Sequence, residues 1–303
     1  MIRAEAQLCP FLFYTRKGIK LKIRRILITL FGAVLILTGI LIFAYPVISN
    51  HEAVKNQAHV IEVYEQKVEN SDIEAMEQAR KEAQEYNDSL VGNPVHDPFV
   101  PGSGYALPEN YNSVLNLNGD GIMGYLEIPK INVRLPIAHG TSDEAMLSNV
   151  GHIESTALPI GGIGTHTVLT GHRGLPSAEL LTRLDEMKKG DLFFISVLSE
   201  TLAYEVDKIT VVEPYELQEL RTETDKDLAT VLTCTPYGVN TQRLLVRGKR
   251  VEYVPEMKEV NHTQVIFEGL NNKRLLQGML LGFSLVIIIL IIPAVIARRR
   301  KSK

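Results

Sequence analysis

Two long apolar stretches, one near each end of the chain, dominate its hydrophobic pattern. Residues 26–45 are almost continuously apolar, and residues 275–297 form a second run interrupted by Gln277, Ser284 and Pro293. Each run is long enough to cross a hydrocarbon core of about 30 Å as a helix. The first exceeds the apolar part of a typical signal peptide, and no Ala-x-Ala-like cleavage site follows it. We therefore predict transmembrane helices over residues 26–48 and 275–297.

Basic residues flank both apolar runs on the sides that face the chain termini. They are Arg16, Lys17, Lys20, Lys22, Arg24 and Arg25 before the first run, and Arg298, Arg299, Arg300, Lys301 and Lys303 after the second. Excess Lys and Arg marks the cytoplasmic side of a membrane span. The pattern predicts a two-pass cell-membrane protein with cytoplasmic tails over residues 1–25 and 298–303, and with the intervening chain outside the cell.

The extracytoplasmic part begins with a helical pattern. Between residues 49 and 90 the apolar residues recur at helical spacing, first in residues 54–68 and then in residues 73–86, and the segment Ser71-Asp-Ile-Glu74 matches a capping box. Residues 91–104 are too rich in Pro and Gly for regular structure, but their apolar side chains predict a loop that lies across the domain. Residues 259–274 are expected to link the domain to the second span.

From residue 105 to residue 258 the pattern predicts short strands separated by turns. The predicted strands cover residues 122–128, 131–138, 165–170, 191–197, 202–212, 228–233 and 243–254. Their Thr and aromatic content favours an antiparallel barrel or sandwich. Two short helices are predicted, one after the cap Thr141-Ser-Asp-Glu144 through Asn149 and one over residues 177–187. The fold class is thus mainly β.

Charge and cysteine content narrow the range of possible functions. A net charge of −3 and the lack of a basic block interleaved with aromatic residues argue against nucleic-acid binding. The chain has two cysteines, and the predicted topology places Cys9 and Cys234 on opposite sides of the membrane, so they cannot pair. Cys234 is then an unpaired thiol outside the cell, which is a candidate reactive group. The commoner fate of a lone cysteine is that of a small buried hydrophobe.

A thiol is mostly protonated at neutral pH, so a nucleophilic cysteine needs a base or a cation nearby. His172 is a candidate base because it sits where a predicted strand meets a Gly-flanked turn, as Cys234 does. His166 lies on the same strand and face and is a competitor. Arg243 follows Cys234 across the turn Thr-Pro-Tyr-Gly, so antiparallel pairing brings it beside the thiol, where a cation can stabilise an oxyanion. Arg173 is a weaker competitor for the cationic role.

No metal or cofactor site is expected. The segment from Asn116 to Glu127 nearly matches an EF-hand calcium loop, but the first ligand is Asn and the segment continues as a strand, so a turn is the better interpretation. The chain lacks the HExxH and paired CxxC patterns of zinc sites.

These residues resemble the sortase family, and specifically its class C, pilin-polymerising group. The likeness is carried by Thr230-Val-Leu-Thr-Cys234-Thr-Pro-Tyr-Gly and the following Gln-Arg243-Leu-Leu-Val-Arg-Gly, by Thr170-Gly-His172-Arg-Gly, and by Leu158-Pro-Ile-Gly-Gly. Asp97-Pro98-Phe99 matches the lid element of that class. Gln242 departs from the family, whose members often have His there.

The resemblance implies an eight-stranded β-barrel in which His172, Cys234 and Arg243 converge, with a lid over residues 91–104. It implies a transpeptidase that cleaves an LPXTG-type sorting signal between Thr and Gly and joins the acyl group to a lysine amine of another pilin subunit. Three alternatives remain open: a cell-wall anchoring sortase, a membrane-tethered cysteine peptidase that hydrolyses its acyl-enzyme, and a tethered binding protein in which Cys234 is inert.

Overall fold

The fold is a closed β-barrel preceded by two helices. The computed structural model describes residues 11–90 and 110–255, together with Gly282. Its helices are α1 (Phe11–Glu69), α2 (Ile73–Ser89) and α3 (Asp143–Met146). Its strands are β1 (Ile122–Ile128), β2 (Val133–His139), β3 (Val150–His152), β4 (Thr165–Thr170), β5 (Leu192–Val197), β6 (Glu200–Val212), β7 (Asp227–Thr235) and β8 (Gln242–Val251). Short 3₁₀ turns occupy Pro129–Ile131, Leu184–Glu186 and Leu217–Leu220.

Helix α1 contains the first predicted span. Its apolar side chains from Ile26 to Ile48 are exposed, and within the described residues Ile26–Glu69 is the one helix long and apolar enough to cross a membrane. This is consistent with anchoring through the N-terminal part of the chain. The helix continues through Pro46, where a second compact unit of the molecule begins. The expected second span, residues 275–297, lies outside the described residues apart from Gly282.

The C-terminal part of α1 and helix α2 pack against the barrel through buried tyrosines. The Tyr64 hydroxyl donates to Met123 O at 3.0 Å and accepts from Leu198 N at 2.8 Å. The Tyr86 hydroxyl donates to Glu154 O at 2.9 Å. The predicted capping box is wrong: the N-cap residue of α2 is Asp72, and the Ser71 hydroxyl instead donates to Lys67 O at the end of α1.

The barrel closes in the order β1-β2-β3-β4-β7-β8-β6-β5. Six of its eight strand pairs are antiparallel, whereas β2–β3 and β4–β7 run parallel. The expectation of an antiparallel sheet is therefore corrected to a mixed barrel. Strands β4 and β7 are buried along their whole length except for Thr235, as expected for strands covered on both faces.

Two predicted helices differ from the structure. The one expected through Asn149 ends at Met146, and its N-cap is Ser142, whose hydroxyl accepts from Ala145 N at 3.2 Å. The helix expected over residues 177–187 is replaced by an irregular segment with one 3₁₀ turn, because Leu180 has a φ of +42° and bridges to Arg173.

Candidate active site

Cys234 is the second-last residue of β7, next to the turn that follows the strand. The strand is an apolar, β-branched run, which favours extended structure, and the Thr235–Pro236 bond that follows is cis. Cys234 is 9% exposed and forms no disulfide. The thiol therefore lies at the boundary between the barrel interior and solvent.

Arg243 lies directly opposite Cys234 on β8. The two residues are paired in the antiparallel register of the β7–β8 hairpin. Directly opposed residues project to the same side of a sheet, with Cβ atoms about 5 Å apart. Arg243 is 4% exposed, and its Nη1 lies 3.3 Å from Asn240 O in the preceding turn and 3.2 Å from Gln242 O at the start of β8.

His172 reaches the other side of Cys234 through the parallel β4–β7 pair. The register matches Thr170 with Leu232, and Gly171 N continues the ladder by donating to Leu232 O at 3.2 Å. The Thr233 hydroxyl donates to Gly171 O at 2.7 Å. His172 follows Gly171, just beyond the end of β4, and Cys234 is the second-last residue of the neighbouring parallel strand β7. The structure thus brings the three sequence-predicted residues to adjacent strand ends.

The imidazole of His172 is half-buried. Burial lowers its pKa below the ordinary value of 6.5, and the carboxylate of Asp143 on α3 partly opposes that shift. At neutral pH the ring is therefore mainly neutral, the form that can accept a proton from a thiol or an amine. Sequence reasoning missed Asp143 as an electrostatic neighbour of this ring.

The competing residues have other partners. His166 is 1% exposed, and its ring nitrogens lie 3.0 Å from Arg221 O and 2.8 Å from Thr230 Oγ1; burial lowers its pKa to about 4. The guanidinium of Arg173 contacts Thr182, Thr235 and Asp185. The imidazole of His166 is thus structural. The guanidinium of Arg173 is fixed by its own partners and is not a free cation beside the thiol.

Two further histidines lie in the barrel wall, one fully buried and one partly buried. His152 is fully buried; its Nδ1 lies 3.0 Å from the Tyr111 hydroxyl and its Nε2 lies 2.9 Å from Ala157 O, and burial lowers its pKa to about 4. The ring nitrogens of His139 lie 2.9 Å from Gly121 O and 2.7 Å from Val114 O. Both imidazoles hold loops to the barrel.

The calcium-loop-like segment is a turn. Asn116 Oδ1 accepts from Gly121 N and Asp120 Oδ1 accepts from Ile122 N, each at 3.0 Å. These side-chain oxygens therefore stabilise the backbone of a turn. Within residues 11–90 and 110–255 no group of His, Cys, Asp and Glu has the arrangement of a metal site.

Sequence reasoning also missed the threonines on either side of Cys234. Thr233 and Thr235 contact the residues on either side of His172. The only local signal was the alternation of Thr with the cysteine, which strand propensity explains equally well. The predicted lid residues Asp97, Pro98 and Phe99 lie outside the described residues.

The chain is similar to proteins of the sortase family. A sortase-domain family model matches residues 126–251. Sortase D of Bacillus subtilis is 31% identical over 131 residues, which cover 42% of this chain and 63% of that protein, so the chain spans less than two thirds of that relative.

Solved structures of sortase C enzymes are similar over nearly their whole length. A sortase C of Streptococcus pneumoniae, studied for its catalysis and pilin substrate specificity, is 41% identical with a TM-score of 0.61, over 65% of this chain and 98% of that one. A pilus-related sortase C of Group B Streptococcus is 42% identical with a TM-score of 0.58, over 63% of this chain and 96% of that one.

Proposed function

This chain belongs to the sortase family, in its class C group, and on that premise we propose that it is a membrane-anchored cysteine transpeptidase that polymerises pilins. The single observation that carries the proposal is that His172, Cys234 and Arg243 lie at the same end of three adjacent strands, β4, β7 and β8. The substrates would be pilin subunits that bear an LPXTG-type sorting signal and an acceptor lysine.

In the acylation step, Cys234 Sγ attacks the carbonyl carbon of the Thr–Gly bond while the neutral His172 ring takes the thiol proton. The carbonyl oxygen becomes an oxyanion next to the guanidinium of Arg243, which stabilises it. The C–N bond then breaks, and His172 gives its proton to the departing glycine amine. A thioester to Cys234 remains.

In the transfer step, the lysine amine of a second pilin attacks the thioester carbon. His172 accepts a proton from the attacking nitrogen, and the Cys234 sulfur leaves and regains a proton. An isopeptide bond forms, and the enzyme returns to its starting state. A neutral imidazole suits this step, because the lysine must lose a proton to become a nucleophile.

The decisive experiment traps the acyl-enzyme. Full-length protein in detergent micelles would be incubated with an LPXTG-type peptide, and its intact mass measured with and without a lysine-containing acceptor. We expect an adduct on Cys234 that the acceptor converts into an amide-linked product, and none in Cys234→Ala. Absence of an adduct in the wild-type protein would overturn the proposal, and an adduct released only by water would favour the peptidase alternative.

We further propose that residues 91–104 form a lid that covers the thiol in the free enzyme, with Asp97 near Cys234 and Phe99 over the groove. A cover has a physical purpose, because an exposed thiolate oxidises readily. Asp97→Ala is expected to raise the rate of Cys234 alkylation. Equal rates in the two proteins would remove this role.

The membrane arrangement is part of the same proposal. The exposed apolar part of α1 supports an anchor at residues 26–48, and the basic flanks support cytoplasmic termini with a second span at residues 275–297. Protease digestion of sealed vesicles should leave epitope tags at both termini intact while it degrades the barrel.

A further inference from the structure

The residues next to His172 are bound to the residues next to Cys234. On one side, the Thr233 hydroxyl donates to Gly171 O at 2.7 Å. On the other side, Arg173 Nη1 donates to Thr235 Oγ1 at 3.1 Å. The imidazole and the thiol are thus each flanked by a contact that spans the gap between β4 and β7.

The side chain of Arg173 is 6% exposed, which is unusual for a cation. Its nitrogens are all engaged: Nε donates to Thr182 O at 3.1 Å, Nη1 donates to Thr235, and Nη2 pairs with Asp185 Oδ2 at 2.5 Å. The guanidinium also lies 6.0 Å from the ring centre of Tyr237. Because a buried guanidinium is costly unless it is paired and hydrogen-bonded, this set of partners fixes it in one place.

The loop that carries Arg173 is held by further hydrogen bonds. Gly174 N donates to the Thr182 hydroxyl at 3.1 Å, and Leu181 N donates to His172 O at 3.3 Å. Gly174 has a φ of +82°, and a Cβ at that position would lie 2.9 Å from the Tyr237 ring, so the loop backbone lies close against the β7–β8 turn. The loop and the turn therefore meet through Arg173 and Gly174.

We propose that Arg173 is a positioning residue that, through Thr235, fixes the imidazole of His172 relative to the sulfur of Cys234. The proposal rests on the proposed function, because it assumes that proton transfer between this ring and this sulfur matters. Beyond Gly171 the β4–β7 ladder has ended, so the register alone does not set the position of His172. Proton transfer needs hydrogen-bond reach, and a displacement of about 1 Å can reduce a rate by roughly 100-fold.

The test uses full-length Arg173→Met and Thr235→Val in detergent micelles. Thr235→Val removes the acceptor hydroxyl alone and leaves Thr182 and Asp185 in place. Arg183→Met is the matched control, because Arg183 lies in the same loop and pairs with Glu186, with both hydrogen bonds at 2.8 Å. We expect kcat for an LPXTG-type peptide to fall by about 10- to 100-fold in both test variants, with KM changed less than about threefold. The control should behave as wild type.

A second readout separates positioning from loss of structure. The rate of Cys234 alkylation by a small reagent would be measured against pH in each variant and in His172→Ala. If Arg173 acts through His172, the pH dependence of the alkylation rate in Arg173→Met should shift toward that in His172→Ala. In a protein that already carries His172→Ala, adding Arg173→Met should produce no further change. A simple loss of stability would not produce that pattern.

Several results would overturn the proposal. One is an Arg173→Met protein with kcat within twofold of wild type or with an unchanged alkylation profile. Another is an additional shift when Arg173→Met is combined with His172→Ala, since Arg173 would then act on the thiol directly. If Arg173→Met does not fold, Thr235→Val alone decides, and wild-type behaviour of that variant refutes the proposal. The alkylation comparison needs no peptide, so it stands even if the wild-type protein forms no acyl-enzyme.

Discussion

Strand β7 presents a polar side chain beside an arginine at each of its ends, and the two ends are used differently. Asp227 is 8% exposed and Cys234 is 9% exposed, so burial does not distinguish them. At the Asp227 end, Oδ1 accepts from the Tyr204 hydroxyl at 3.0 Å, and Oδ2 accepts from Gly162 N at 2.8 Å and lies 3.4 Å from Arg250 Nη1.

The two ends differ in the chemistry of their partners. Both carboxylate oxygens of Asp227 are occupied by donors, an arrangement that stabilises the fold. Cys234 is instead paired in register with the buried Arg243, and the half-buried His172, whose imidazole can change its proton, follows the end of the neighbouring strand β4. One hairpin therefore combines a locked structural site with a site suited to chemistry.

The largest expected effect is at the thiol end. Arg243→Lys keeps the charge but loses the planar fork of donors that the proposed mechanism places next to the oxyanion, so we expect kcat for an LPXTG-type peptide to fall by about 100-fold. Arg247→Lys is the control, because Arg247 lies on the same strand but pairs with Asp207 and Glu223. A kcat within threefold of wild type in Arg243→Lys would show that the guanidinium is not needed.

The next effect is at the opposite end. Asp227→Asn leaves Arg250 without its carboxylate and disturbs the donors from Tyr204 and Gly162, so we expect a loss of about 2 kcal/mol in the free energy of unfolding. Because Arg250 is partly exposed, the loss should be smaller than for a fully buried pair. Urea unfolding measures it, with the exposed Asp225→Asn as control. The acylation rate of the folded variant should stay within twofold of the wild-type rate. A larger drop would show that the Asp227 end also contributes to catalysis.

The smallest effect concerns the buried histidines of the barrel wall. Burial lowers the pKa of His152 and of His166 to about 4, against 6.5 in the unfolded chain. The unfolded state therefore binds more protons between those values, so stability is retained above pH 6.5 and falls as the pH drops toward 4. Each histidine should contribute about 1–2 kcal/mol of that loss at pH 5.

Urea unfolding of His166→Gln at pH 7 and pH 5 tests this contribution. The variant should lose less stability on acidification than the wild-type protein, whereas Gln in place of the exposed His59 should leave the loss unchanged. Identical losses in all three proteins would show that His166 is not held neutral by burial.

Local patterns predicted most strands but not how they pair. All of the predicted strands form, yet β3 was missed, because Val150-Gly-His152 is too short to show a period and contains a glycine. The parallel β4–β7 pairing was also missed, since the residue alternation along a strand does not reveal its direction. The approximate position of His172 was predictable as a strand end, but its alignment with Cys234 depends on that pairing.

The remaining errors come from long-range contacts that override local preference. Residues 177–187 have a helical pattern, but Arg173 binds Thr182 and Asp185, and those contacts keep the segment irregular. Similarly, Thr233 and Thr235 look like ordinary strand residues, and only the folded chain shows that they contact Gly171 and Arg173. The pairing of Cys234 with Arg243 was predictable because a single turn joins the two antiparallel strands.

The mixed direction of the barrel strands has a consequence for the order in which the site can form during folding. Strands β4 and β7 lie side by side in parallel, and the chain between them passes through β5 and β6 elsewhere in the barrel. Their pairing is therefore non-local and carries a larger loop-closure cost than the β7–β8 hairpin. We expect the hairpin that pairs Cys234 with Arg243 to form before the β4–β7 pairing is complete.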